Sequence, residues 1–244
     1  MRFRPLRSAF ALAAVALLAA GCSSGPASPS PTSTAEPSAA PTDGAGSAAP
    51  EDRDAGDVEA AWLAGGRQFA VVTWGSSGCV PHAEDVRAEG QTVHVVLADA
   101  GADQVCTADF APRATPAALP EGVDPTQDVE LRVTYGDVAD DADLEALAEA
   151  PSGPAGHEPS AGRFDDRGIV LLTWGSSSCT PVVESIEQTD AGAAVVFAEI
   201  DGVCTMDYAP RTTILTIPFE TDDDRPFALA LRGGGLEGQV PVLP

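Results

Sequence analysis

The chain is 244 residues long and holds 37 acidic residues against 13 basic ones, a formal net charge of −24 at pH 7. All the basic residues other than histidine are arginines, which excludes a Schiff-base lysine, a phosphate-loop lysine and a Ser-Lys dyad. Such acidity also argues against nucleic acid as a partner, whose phosphates need Arg and Lys, and against adhesion of the bare protein to an anionic membrane.

The first segment reads as a targeting signal. Arg2, Arg4 and Arg7 precede an apolar run from Ala9 to Ala20. That run falls short of the roughly 20 apolar residues a membrane-spanning helix needs. It ends in Leu18-Ala19-Ala20-Gly21-Cys22. This resembles the lipobox of bacterial lipoproteins, with Ala19 where that family usually has Leu, Val or Ile. The resemblance covers the signal and Cys22, and the rest of the chain resembles no characterised family. It implies cleavage of residues 1–21, acylation of Cys22, and anchoring in the lipid bilayer at the outer face of the cytoplasmic membrane. Two or more acyl chains would hold the protein there stably.

Residues 22–56 are mostly Ser, Pro, Ala, Thr and Gly, with no apolar periodicity. Such a segment buries no core and reads as a disordered tether. Its ~34 residues would span roughly 30 Å as a coil and about 100 Å if extended.

The chain then repeats itself. Thr73-Trp74-Gly75-Ser76-Ser77-Gly78-Cys79-Val80-Pro81 returns as Thr173-Trp174-Gly175-Ser176-Ser177-Ser178-Cys179-Thr180-Pro181. Val105-Cys106-Thr107-Ala108-Asp109-Phe110-Ala111-Pro112-Arg113 returns as Val203-Cys204-Thr205-Met206-Asp207-Tyr208-Ala209-Pro210-Arg211. Two matched blocks in one order mark a duplication, and two copies are fewer than a solenoid normally needs. The expected division is residues 57–150, a Pro/Gly-rich linker over 151–157, and residues 158–244.

Each copy has a β pattern. Phe69 to Trp74 and Ile169 to Trp174 are apolar on both faces, as in a buried strand. Val86 and Ile186 mark a more polar second strand, with hairpin turns at Gly90 and Gly192. The next strand is expected to hold Cys106, Ala108 and Phe110 on one face, running into Pro112, and into Pro210 in the second copy. Those prolines push it toward a sheet edge or a bulge. Val129 to Val133 and Phe227 to Leu231 give a fifth strand, and Asp140 to Ala150 reads as a short acidic helix. The fold class expected is all-β: two tandem small antiparallel β-sandwich or barrel-like domains, each closed by one disulfide, after the tether.

Small domains bury little surface, and a bridge over a loop of about 27 residues stabilises by ~3.5 kcal/mol in the chain-entropy model. The repeat therefore predicts Cys79–Cys106 and Cys179–Cys204.

Chemistry is sparse. The repeated serines invite a nucleophile reading, but His82 and His94 face Val182 and Ala194 in the second copy, and His157 lies in the linker. Without a shared base, the serines are expected to close a turn and the tryptophans to cover the disulfides. Trp74, Asp109 and Arg113, with Trp174, Asp207 and Arg211, are the candidate binding residues. Each Asp-Arg pair is expected to form an ion pair, which Glu84 and Glu184 would join. No cofactor is required, and no zinc spacing exists. Asp222-Asp223-Asp224 lacks the glycine and distal glutamate of a calcium loop.

The function expected is a non-catalytic envelope module that binds a protein or glycan, with duplication adding avidity. The alternatives are an exported enzyme or accessory subunit with carboxylates in a cleft between the copies, and a transporter substrate-binding lipoprotein.

Overall fold

Strands Gln68–Gly75 (β2) and Gly168–Gly175 (β9) explain the architecture, because side chains alternate across a strand and both faces of these two are apolar. Phe69 and Val71 point one way, into a core with Val93, Val95, Leu131 and Val133. Ala70, Val72 and Trp74 point the other way, into a second core with Phe164, Val170 and Leu172. Ile169 and Leu171 fill a third core with Val195, Phe197, Leu215 and Leu229. A strand whose two faces are both covered must lie in an inner layer, and both do.

The computed structural model describes residues 54–101, 104–152, 156–221 and 225–244. The signal, Cys22, nearly all of the tether, part of the linker and Asp222 to Asp224 lie outside them. The first copy consists of Val58–Leu63 (β1), a 3-10 turn over Ala64–Gly66, β2, His82–Glu89 (β3), Thr92–Ala98 (β4), Ala111–Ala118 (β5), Val129–Tyr135 (β6) and Val138–Leu144 (β7). The second copy repeats it with Ser160–Arg163 (β8), β9, Val183–Thr189 (β10), Gly192–Phe197 (β11), Ala209–Thr216 (β12), Ala228–Gly233 (β13) and Gly238–Leu243 (β14).

Sheet order is the same in both copies. β1-β2-β5 faces β3-β4-β6-β7, and β8-β9-β12 faces β10-β11-β13-β14. In the second copy β14 pairs with β8, which joins both layers into one seven-stranded sheet. In the first copy the corresponding edges are linked by a side chain, the N–H of Val58 donating to Asp140 at 3.1 Å.

The inner layers lie back to back. Equivalent positions meet there: the Thr212 hydroxyl donates at 2.8 Å to the carbonyl of Ala114, its counterpart. Gly162, counterpart of Ala61, lies so close that a Cβ on it would stand 2.0 Å from the Trp62 carbonyl oxygen. Trp74 meets Phe164 edge-on at 6.4 Å. Phe164 sits on Gly168, at the start of β9, whereas Trp174 is near its end, roughly 20 Å away at ~3.3 Å per residue. The copies therefore run head to tail, with their disulfide loops at opposite ends.

The all-β class and both disulfides stand. Other expectations are corrected. The four layers form a solenoid-like stack within one compact unit rather than two separate barrels. Burying about seven large side chains in the seam is worth on the order of 10 kcal/mol. That is comparable to the whole stability of a typical domain. The sheets are mixed, since β4 pairs with β6, and β11 with β13, in parallel. Each copy has seven strands, because β1 and β7 had no counterpart in the expected five. Residues 138–144 form β7 instead of helix: Ala142 and Leu144 face the core while Asp141 and Asp143 face solvent. Residues 104–110 form a loop rather than a strand. Pro112 and Pro210 do lie in edge strands, β5 and β12. No helix among the described residues is long and apolar enough to cross a membrane.

Candidate functional site

The repeated motif folds into a clasp at the end of each copy. After β2 the chain turns through Ser76 to Pro81, and the 104–110 loop is bound to that turn by the Cys79–Cys106 bridge. The Thr107 hydroxyl lies 2.9 Å from Ser76 Oγ, accepts from the N–H of Gly78 at 3.0 Å, and donates to Asp109. Asp109 also accepts from the N–H of Ser77 at 3.2 Å. Hydrogen bonds from Ser77 and then Thr107 hold its carboxyl down to about 2. The second copy repeats this: Thr205 Oγ1 lies 2.7 Å from Ser176 Oγ and donates to Asp207. Bonds from Ser177 and then Thr205 hold Asp207 down to about 2.

Arg113 and Arg211 lie beneath the clasps, buried. The Arg113 guanidinium donates to the carbonyls of Cys79 (2.8 Å) and Trp74 (3.3 Å), and to the Thr73 hydroxyl (3.3 Å). Arg211 donates to the carbonyls of Cys179 (2.6 Å) and Trp174 (3.2 Å). Burial pushes the Arg211 guanidinium down, and it stays charged at any physiological pH. The expected Asp-Arg ion pairs are thus corrected. Each arginine serves backbone carbonyls, each aspartate serves a turn, and Pro112 or Pro210 separates the two. Glu84 and Glu184 stay exposed on the edge strands β3 and β10.

The tryptophans diverge. Trp74 is buried in the seam against Phe164. Trp174 is half-buried and stacks on Tyr208 at 6.1 Å and 25°. His157 closes on both rings, with centroid distances of 4.3 Å to Trp174 and 5.3 Å to Tyr208.

The sequence reading missed the surface that the clasps carry. Val105 and Phe110 are 91% and 54% exposed, while Val203, Met206 and Tyr208 are 100%, 104% and 62% exposed. One signal was present. Ala108 is replaced by Met206 between otherwise matched blocks, a change of size that a buried strand face would not accept.

A shallow depression of about 450 Å³ on the outer face of β3-β4-β6-β7 carries Arg87, His94, Arg132 and Asp141 on one cross-strand rung. Its cations are neutralised within the sheet: Arg87 by Asp85 at 2.6 Å, Arg132 by Glu130 at 3.2 Å, with His94 lying 3.8 Å from Glu89. The matching rung of the second copy is Glu187, Ala194, Ala230 and Gln239. Among the described residues no group of three His, Cys, Asp or Glu side chains is placed to hold a metal ion.

Comparison with protein-family models, with curated proteins and with solved structures finds no match.

Proposed function

We propose that this chain is a cell-envelope lipoprotein, anchored through acylated Cys22 at the outer face of the cytoplasmic membrane, whose duplicated β-region is a non-catalytic binding module. The observation that carries the reading is the exposure of Val105, Val203 and Met206 on loops pinned by a disulfide and a hydroxyl-carboxylate network. Burying such side chains is worth ~1.5–3 kcal/mol each. Ordering them in advance removes much of the entropic cost of binding.

The carboxylate-enzyme reading fares worse. The seam between the copies is filled by apolar side chains, and the hydroxyls of Ser76 and Ser176 are engaged by Thr107 and Thr205. The transporter-lobe reading needs strands alternating with helices, which the fold lacks among the described residues. The head-to-tail arrangement also changes how duplication is used. Loops at opposite ends bridge two partners; they do not grip one flat surface twice.

The test has two parts. Fatty-acid labelling of the expressed chain should be lost, and the protein released from membranes, in Cys22→Ala. A photo-crosslinking amino acid at Val105 or Val203 on intact cells should capture a recurrent partner that the same probe at Asp141 does not. Equal capture at all three positions, or none, would sink the binding reading.

A further inference from the structure

The two clasps share a scaffold and differ in what they display. Where the first copy has His82 and Ala108, the second has Val182 and Met206, and both of these are exposed, at 61% and 104%. Ile200, Val203 and Tyr208 are also exposed in the same pair of loops. Those loops are bound together by the Cys179–Cys204 bridge and by an additional contact, the N–H of Thr205 donating to Ser178 Oγ at 2.9 Å. At their base the N–H of Ala198 donates to the Val182 carbonyl at 2.8 Å. The exposed apolar side chains are therefore carried on loops fixed to one another.

The segment that builds these loops is acidic, and the imidazole packed on it, His157, comes from the linker. Between Trp174 and Arg211 the chain holds six carboxylates and no arginine, lysine or histidine. Glu199 and Asp201 alternate with Ile200 and Val203 in the exposed loop itself. The same interval of the first copy, between Trp74 and Arg113, contains His82, Arg87 and His94.

From this we infer that the clasp of the second copy is the docking site for a basic, amphipathic protein segment: apolar anchors on Val203, Met206 and Tyr208, and Lys or Arg against Glu199 and Asp201. The inference rests on the binding-module reading above. Apolar side chains set among the carboxylates of an acidic segment disfavour phosphates, anionic lipid headgroups and a second copy of the same loops, and attract cations. Methionine adapts its shape to varied anchors, and Tyr208 is held in place by its stack on Trp174 and by His157 packed on both rings. The first clasp lacks both the methionine and the uniform charge.

The probe is a short amphipathic peptide of leucine and lysine, titrated against the full mature chain, with its leucine-glutamate twin as control. Saturable binding of the lysine peptide is expected, at least ~10-fold weaker in Val203→Ser with Met206→Ser, and weaker again in Glu199→Gln with Asp201→Asn or at high salt. All four side chains are exposed, so these variants keep the fold, which circular dichroism checks. Val105→Ser with Phe110→Ser should leave binding unchanged. Loss of binding in the Val105/Phe110 variant alone would overturn the assignment to the second clasp. Equal binding of the glutamate twin would overturn the charge argument. Association with neutral lipid vesicles, or a dimer abolished by the Val203/Met206 variant, would replace the proposed partner with a lipid surface or a second copy. If the peptide fails while Val203 still crosslinks a recurrent partner on cells, this inference falls and the binding-module reading stands.

Discussion

Gly75 lies flat against the guanidinium of Arg113, so that a Cβ on the glycine would stand 2.8 Å from Arg113 Cζ. Gly175 and Arg211 repeat the relationship at 2.7 Å. The Trp-Gly-Ser-Ser block and the Ala-Pro-Arg block therefore recur for one reason: the arginine passes beneath the turn and holds its carbonyls, and only glycine leaves room for it. Gly75→Ala or Gly175→Ala should destabilise the protein by about 1–3 kcal/mol through overpacking. Thermal or urea unfolding measures this, and a neutral result at both sites would mean that the arginine is free to move aside.

The bridges should contribute separately. Replacing Cys79 and Cys106 by serine opens a loop of 27 residues and should cost ~3.5 kcal/mol, with a nearly equal loss for Cys179 and Cys204. Denaturant midpoints of the paired serine variants give the values. A loss well under 1 kcal/mol would show that the hydroxyl-carboxylate network already closes the loop.

Much of this was legible in the sequence, and the misses share a cause. The inner strands β2 and β9 and the cysteine pairing were readable because double-faced apolar runs and duplicated blocks are local signals. Strand β7 was hidden because Asp140, Asp141 and Asp143 have poor strand propensity, although Ala142 and Leu144 keep the alternation. Strand β1 was hidden because Val58–Leu63 is short and rich in alanine, and it is covered on both faces by distant parts of the chain: Ala60 and Trp62 by the first copy's own core, Ala61 and Leu63 by the second copy. The 104–110 loop looked like a strand because Cys106, Ala108 and Phe110 alternate with Thr107 and Asp109. Those polar residues instead cap the serine turn, which leaves the apolar ones in water. Alternation alone does not tell which face is covered; a tertiary partner decides that.

The clasp carboxylates set an acid limit. Asp109 and Asp207 are held down to about 2 in the folded chain, against about 4 for an unfolded aspartate. A depressed carboxyl stabilises fully above the unfolded value and loses that contribution as pH falls from about 4 through about 2. The clasps should therefore be indifferent to pH from neutrality down to about 4 and loosen below it. Thr107→Val and Thr205→Val each remove a donor and should move the respective midpoint upward. Carboxyl NMR titration follows both; wild-type midpoints near 4 would contradict the clasp.

The seam between the copies should make the protein unfold as one body. Gly162 permits β8 to approach β1, and its would-be Cβ meets backbone, the Trp62 carbonyl oxygen at 2.0 Å, rather than a side chain that can swing away. Gly162→Ala must therefore push the two inner layers apart, exposing Leu63, Val72, Trp74, Phe164 and Leu172 along the joint. The wild-type region should show a single calorimetric transition, because neither copy keeps its inner sheet covered alone. Gly162→Ala should lower the midpoint and broaden or split that transition. The Gly75→Ala variant should lower it without splitting, since its clash lies within one copy. Two transitions in the wild type would mean that the copies unfold independently despite the shared core.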